Sequence, residues 1–207
     1  TLANGAKVVF RKADYDKDAV ALSSYSKGGT SLYDIDMLPS ASNVGALIGA
    51  YGLGDFDAVT LRKMLTGKMA SCSVSVGSMS ESVNGSSTPK DFETMLQLLY
   101  LRFEKPRFDA EAHEAIMSRN RAAIANQQKN PQKIIQDSIS LIMSDYNPRT
   151  LLFNEKYLDR ISLEKIEEVY RDRIKDASDF TFFIVGNIDA DTVKPLVEKY
   201  IGSLKSV

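Results

Sequence analysis

In ASCSVSVGSMSESVNGSS, residues 70–87, small polar residues alternate with Val74, Val76, Met79 and Val83. A period near two is incompatible with a helix, so the spacing predicts two antiparallel strands turning around Gly77-Ser78. Two further strands are expected earlier. Asn4-Gly5 reads as a two-residue hairpin turn, because both central positions of a type I′ turn need positive φ, and AKVVF follows it. AVALSSYS, residues 19–26, is the next strand, and Lys27-Gly28-Gly29-Thr30 breaks it.

The period then changes. Residues 57–66 place Val59, Leu61, Met64 and Leu65 near one helical face, with Arg62 and Lys63 opposite and Gly67 as the stop. Thr88-Pro-Lys-Asp91 reads as an N-cap with proline at the first helical position, starting a helix through Phe103 that buries Phe92, Met95, Leu96 and Leu99. A long helix runs from Asp109 to about Gln128, and Pro131 opens another that carries Ile134, Ile135, Ile139 and Ile142. Ser162 caps LEKIEEVYRDRI; FTFFIVG is apolar enough for a central strand; residues 190–201 form a last helix closed by Gly202. Pro195 fits that helix only near its first turn, where a missing N–H costs little. Strands first, then a block of helices, then a late strand and helix imply an α+β fold: an antiparallel sheet packed by helices on one side. With no linker, repeat or low-complexity segment, residues 1–207 read as a single domain.

Charge excludes some functions. Lysine and arginine number 26 against 27 aspartates and glutamates, so no net field draws nucleic acid or an anionic membrane. No apolar run approaches the roughly 18–20 residues of a membrane helix, so no membrane insertion is expected. Cys72 is the only cysteine, which excludes an internal disulfide. No signal peptide is visible in this stretch, and the compartment, periplasmic or cytoplasmic, stays open.

Candidate chemistry is sparse. His113, the one histidine, lies beside Glu111 and Glu114. Residues one or two apart on a helix point in different directions, so the trio reads as a solvated helix face rather than a metal site. Cys72 has no histidine near it in sequence and reads as a buried, inert thiol. The glycine-rich Gly28–Ser31 lacks the G-x-x-x-x-G-K-[ST] pattern and the following helix that phosphate binding needs. The basic residues from Arg102 to Arg121 are interleaved with Glu104, Asp109, Glu111 and Glu114, a mixed solvated face without nucleic-acid character.

One stretch looks weakened without reason. SASNVGALIGAYG, residues 40–52, has a helix-like start yet places Gly45, Gly49 and Gly52 on roughly one face, at about 1 kcal/mol each relative to alanine.

Residues 158–204, LDRISLEKIEEVYRDRIKDASDFTFFIVGNIDADTVKPLVEKYIGSL, closely resemble the pitrilysin, or insulin-degrading-enzyme, family of zinc metallopeptidases. The likeness extends to LANGAKVVF, SKGGTSLYD and RFEKPRFDAEAHEAIMSRNRAAIANQQKNP, and so covers nearly the whole chain in order. Members of this family consist of repeated α+β domains closing like a clamshell around a peptide chamber, and the first domain carries the inverted zinc motif H-x-x-E-H. The resemblance puts that motif's slots at Gly45, Ile48 and Gly49, and a third ligand slot near Arg121–Ala125. None of these residues can bind zinc or activate water.

The resemblance therefore implies a non-catalytic domain, the first of the non-catalytic C-terminal half of a longer zinc protease. Such a domain has no catalytic residues, metal ligands or cofactor of its own, and zinc belongs to the catalytic half. Its partners are that half, in the same protein or a partner subunit, and peptide substrates. It supplies chamber wall, with strands 71–86 completing the sheet, and Gly45 and Gly49 are expected to face protein and let a neighbouring helix approach closely. Two rivals are a structural core subunit and a peptide-binding module, each without a proteolytic partner.

Overall fold

The computed structural model describes residues 1–206. Its elements run β1 (Lys7–Lys12), β2 (Val20–Lys27), α1 (Leu38–Ile48), α2 (Ala58–Met64), β3 (Ala70–Val76), β4 (Ser80–Ser87), α3 (Phe92–Glu104), α4 (Ala110–Gln127), α5 (Pro131–Met143), α6 (Glu155–Leu158), α7 (Leu163–Arg173), β5 (Thr181–Gly186) and α8 (Ala190–Tyr200). The strands form one sheet in the order β1-β5-β2-β4-β3.

The α+β class holds, and the sheet differs from the expected one in a single pairing. The β5–β2, β2–β4 and β4–β3 pairs are antiparallel, whereas β1 and β5 are parallel. A parallel neighbour needs a long crossover, and here the whole helical block lies between β1 and β5. The apolar FTFFIVG segment is central, as its composition predicts.

Helices cover one face only. Along β2, Val20, Leu22, Ser24 and Ser26 are buried while Ala21, Ser23, Tyr25 and Lys27 are exposed. Cys72, Val74 and Val83 of the β3–β4 hairpin join Phe182 and Ile184 of β5 in a core closed by α1, α3, α7 and α8. Helix α3 buries Phe92, Met95, Leu96, Leu99 and Phe103, the spacing of one helical face. Phe103 meets Phe180 edge-on at 5.3 Å.

Several local expectations change. Asn4-Gly5 is a turn, with Gly5 at φ 86°, but no strand precedes it. Asn4 Nδ2 donates to the Ile201 and Leu204 carbonyls at 2.8 and 2.9 Å, so the turn anchors the N-terminal end to the last helix. Helix α3 starts at Phe92 rather than at Pro89, because Asp91 is its N-cap and the Asp91 carboxylate accepts from the Met69 N–H at 2.8 Å. Pro195 lies inside α8, beyond the first turn. The bond it forfeits involves the Asp191 carbonyl on the exposed side of the helix, where water can substitute.

The β2–β4 ladder is interrupted midway. Backbone pairing covers Val20–Leu22 and resumes at Ser26. Between them Val83 donates its N–H to Ser24 Oγ at 2.7 Å, and Ser24 donates its N–H to Asn84 Oδ1 at 3.3 Å. Side chains thus satisfy the backbone groups where the strands part.

Candidate functional site

Helix α1 packs against β3 and α7. Its three motif slots meet three different environments. A Cβ on Gly45 would lie 3.0 Å from the Val74 carbonyl oxygen and 3.3 Å from Ser75 Cα, so the missing side chain lets the helix backbone settle onto the strand. Ile48 is 1% exposed and belongs to the core. Gly49 is exposed, and a Cβ there would meet nothing within 4 Å. The expectation that both glycines face protein is thus met at Gly45, where the close neighbour is strand β3 rather than a helix, and corrected at Gly49, which caps the end of α1 and is exposed.

The third slot is equally unsuited to a metal. Arg121 reaches away to Asp159 at 2.6 Å, and Ile124 is 1% exposed in the core. A zinc ion needs three or four nitrogen, sulfur or carboxylate donors converging on one point. Glycine, isoleucine and alanine supply none, so these residues do not fit the ion. Among the described residues no cluster of three or more His, Cys, Asp and Glu could hold a metal.

His113 is not on a solvated face. It is 5% exposed, and its Nδ1 lies 2.8 Å from the Tyr51 hydroxyl. Burial lowers its pKa from the ordinary 6.5, with Glu114 opposing, so the neutral imidazole is the favoured form. Glu111 and Glu114 are exposed and do not converge with it. The pair ties α4 to the turn after α1 and is structural. An open groove of about 570 Å³ lies beside it, lined by Tyr51, Asp57, Thr60, Arg107 and Asp109, where Arg107 pairs with Asp109 at 2.7 Å.

Cys72 is buried, and burial pushes its thiol up to about 12. Arg102 is not part of a solvated cationic face either: it is 7% exposed beneath β3, and its Nη2 donates to the Cys72 carbonyl at 3.3 Å. In the Gly28–Ser31 turn the place of an anion is filled from within. Glu81, 2% exposed, accepts from the Gly29 N–H at 2.7 Å and from Ser26 Oγ at 3.0 Å, with Arg173 Nη1 at 3.7 Å. Glutamate and arginine here lock a loop whose glycines have φ 150° and 69°.

The outer edge of β3 is partly closed. Val83 gives its N–H to β2, so its partner Val74 directs its own backbone groups away from β4, and Cys72 shares that orientation. The Val74 carbonyl is covered by α1 at Gly45, and the Cys72 carbonyl is taken by Arg102. The opposite, open face of the sheet carries Ser71, Ser73, Ser75 and Ser86 on its β3–β4 side, and Val9, Arg11 and Phe183 on its β1–β5 side, with Ser23 and Tyr25 of β2 between them. No helix among the described residues is long and apolar enough to cross a membrane.

Residues 160–207 match the model of the Peptidase M16 inactive domain. A probable zinc protease PqqL of Haemophilus influenzae is 24% identical over 99% of this chain, which spans 22% of that relative. The crystal structure of the periplasmic protease PqqL from Escherichia coli superposes with a TM-score of 0.81 at 20% identity, covering all of this chain and 23% of that one. A Peptidase M16 inactive domain from Pseudomonas fluorescens gives a TM-score of 0.75 at 18% identity, covering all of this chain and 50% of that one. The chain thus spans about a fifth of the length of the curated relatives it matches.

Proposed function

We propose that this chain, a homologue of PqqL-type zinc proteases with the character of a pitrilysin-family inactive domain, forms wall in a clamshell chamber where the zinc-bearing half of a longer protein cleaves peptides. In this reading it is the first domain of the non-catalytic half, and zinc resides in the other half. The observation that carries the proposal is α1: the fold around it is intact, while its ligand positions are Gly45, Ile48 and Gly49. A damaged catalytic domain loses one ligand. Here every position has been given over to packing or to solvent.

The sheet's open face supports the role of wall. Its β3–β4 half is hydroxyl-lined, and its β1–β5 half adds Val9, Phe183 and Arg11, a mixed surface that suits a chamber confining unfolded peptides of varied sequence. The partial closure of β3 supports the expectation that the hairpin completes the sheet.

The test compares the isolated chain with the longer polypeptide that contains it, on a quenched-fluorescence peptide. The longer protein is expected to cleave in a chelator-sensitive manner and the isolated chain not at all. Turnover by the isolated chain, or none by the longer protein, overturns the proposal.

A further inference from the structure

Helix α5 is amphipathic in the wrong sense. None of its 13 residues is buried. The half-covered ones are Lys133, Asp137, Ser140 and Leu141, spaced i, i+4, i+7, i+8 on one stripe. Lys133 and Asp137 form an ion pair along that stripe. The opposite stripe holds Ile135, Ile139 and Ile142 at 55%, 47% and 62% exposure, flanked by Ile134 at 58% and Met143 at 81%. Three residues past the helix, Tyr146 is likewise exposed, at 67%. A helix that turns its polar stripe inward and five large apolar side chains outward is completed by a second apolar body.

We infer that this isoleucine face of α5 is an interdomain interface, covered by an apolar surface of another domain of the same polypeptide. Two features select this occupant. Between Ile134 and Met143 the outward stripe contains only Gln136 and Ser138 besides the apolar residues, so it lacks the basic rim of a membrane-surface helix and the charges that steer free partners. The face presents only six large apolar side chains, Ile134, Ile135, Ile139, Ile142, Met143 and Tyr146, against the roughly 20–30 residues a side of a stable free complex. So small a face is sufficient when the partner is tethered, because a covalent link holds it at an effective concentration of order millimolar. The relatives provide such a partner, being about five times as long as this chain.

The inference rests on the proposed place of this chain in a longer protein, and hydrogen exchange separates the two. Amides of α5 are expected to exchange about tenfold or more slowly in the longer polypeptide than in the isolated chain. Ile135→Glu and Ile139→Glu should abolish that protection while leaving the urea midpoint of the isolated chain unchanged, and Ile139→Val should retain it. Equal exchange of α5 in both contexts overturns the inference. So does dimerisation of the isolated chain, or its binding to phosphatidylcholine vesicles, when Ile139→Glu abolishes it. Protection of α5 in a longer protein that cleaves no peptide would end the peptidase reading and leave this one standing; cleavage with α5 unprotected would do the reverse.

Discussion

The backbone of Gly45 lies so close to Val74 that a β-carbon on it would stand 3.0 Å from the strand's carbonyl oxygen. The position that the zinc motif would give to its first histidine is therefore used to seat a helix on an edge strand. Gly49, one turn later, has no such neighbour.

These two glycines should respond with opposite sign. Gly45→Val forces β3 or α1 to shift and is expected to cost about 1–3 kcal/mol. Gly49→Ala, with φ −66° and open space around it, should stabilise by up to about 1 kcal/mol through helix propensity. Urea unfolding of the two variants decides. Destabilisation by both would mean that the exposed position has a role the packing does not reveal.

The Tyr51–His113 pair makes stability depend on pH. The folded pKa of His113 lies below its ordinary 6.5, so the unfolded chain binds the extra proton more readily. The contribution is complete above 6.5 and is lost as pH falls from there through the lower folded pKa. Asp91 and Asp109, whose carboxyls are held low by backbone N–H groups and neighbouring cations, lose their contributions only in more acid solution. His113→Gln should flatten the curve just below pH 6.5 and leave the acid limb in place. Tyr51→Phe, which leaves the buried ring nitrogen unpaired, should cost about 1–2 kcal/mol.

Cys72 should be silent in the native state. With its thiol pushed up to about 12 and only 9% of the residue exposed, modification by an aromatic disulfide reagent should track global unfolding. Rapid labelling of folded protein would show that β3 opens locally.

Arg102 is a buried cation whose Nε and Nη1 have no hydrogen-bond partner. Replacing it with an apolar side chain of similar length removes an uncompensated charge, so Arg102→Met should be neutral or stabilising. Arg102→Ala should instead cost about 2 kcal/mol or more through the cavity it leaves. Thermal melts of the pair distinguish a charge that matters from a stem that fills space.

Much of the fold is legible in the residues themselves. The period-two run at 70–87 is the β3–β4 hairpin, and FTFFIVG is the central strand. What the pattern missed are tertiary events. The parallel β1–β5 pairing depends on where the crossover lands. The late start of α3 depends on Asp91 being recruited by Met69 from another segment. The burial of His113 depends on Tyr51, 62 residues away, and the burial of Arg102 on a strand carbonyl 30 residues back. Periodicity flagged the isoleucines of α5 as apolar, but only the structure reveals that they face outward. That positions 45, 48 and 49 carry no zinc-binding side chain is a matter of residue identity rather than position, and is read directly from the sequence. Gly49 shows the limit: its identity excludes a ligand, yet the expectation that it faces protein failed.

The central proposal is that this chain holds no metal of its own, and zinc analysis tests it most directly. The purified chain, equilibrated with equimolar zinc and freed of loosely bound ion, is expected to retain far less than one zinc per chain. Stoichiometric zinc that disappears in His113→Ala would contradict the account.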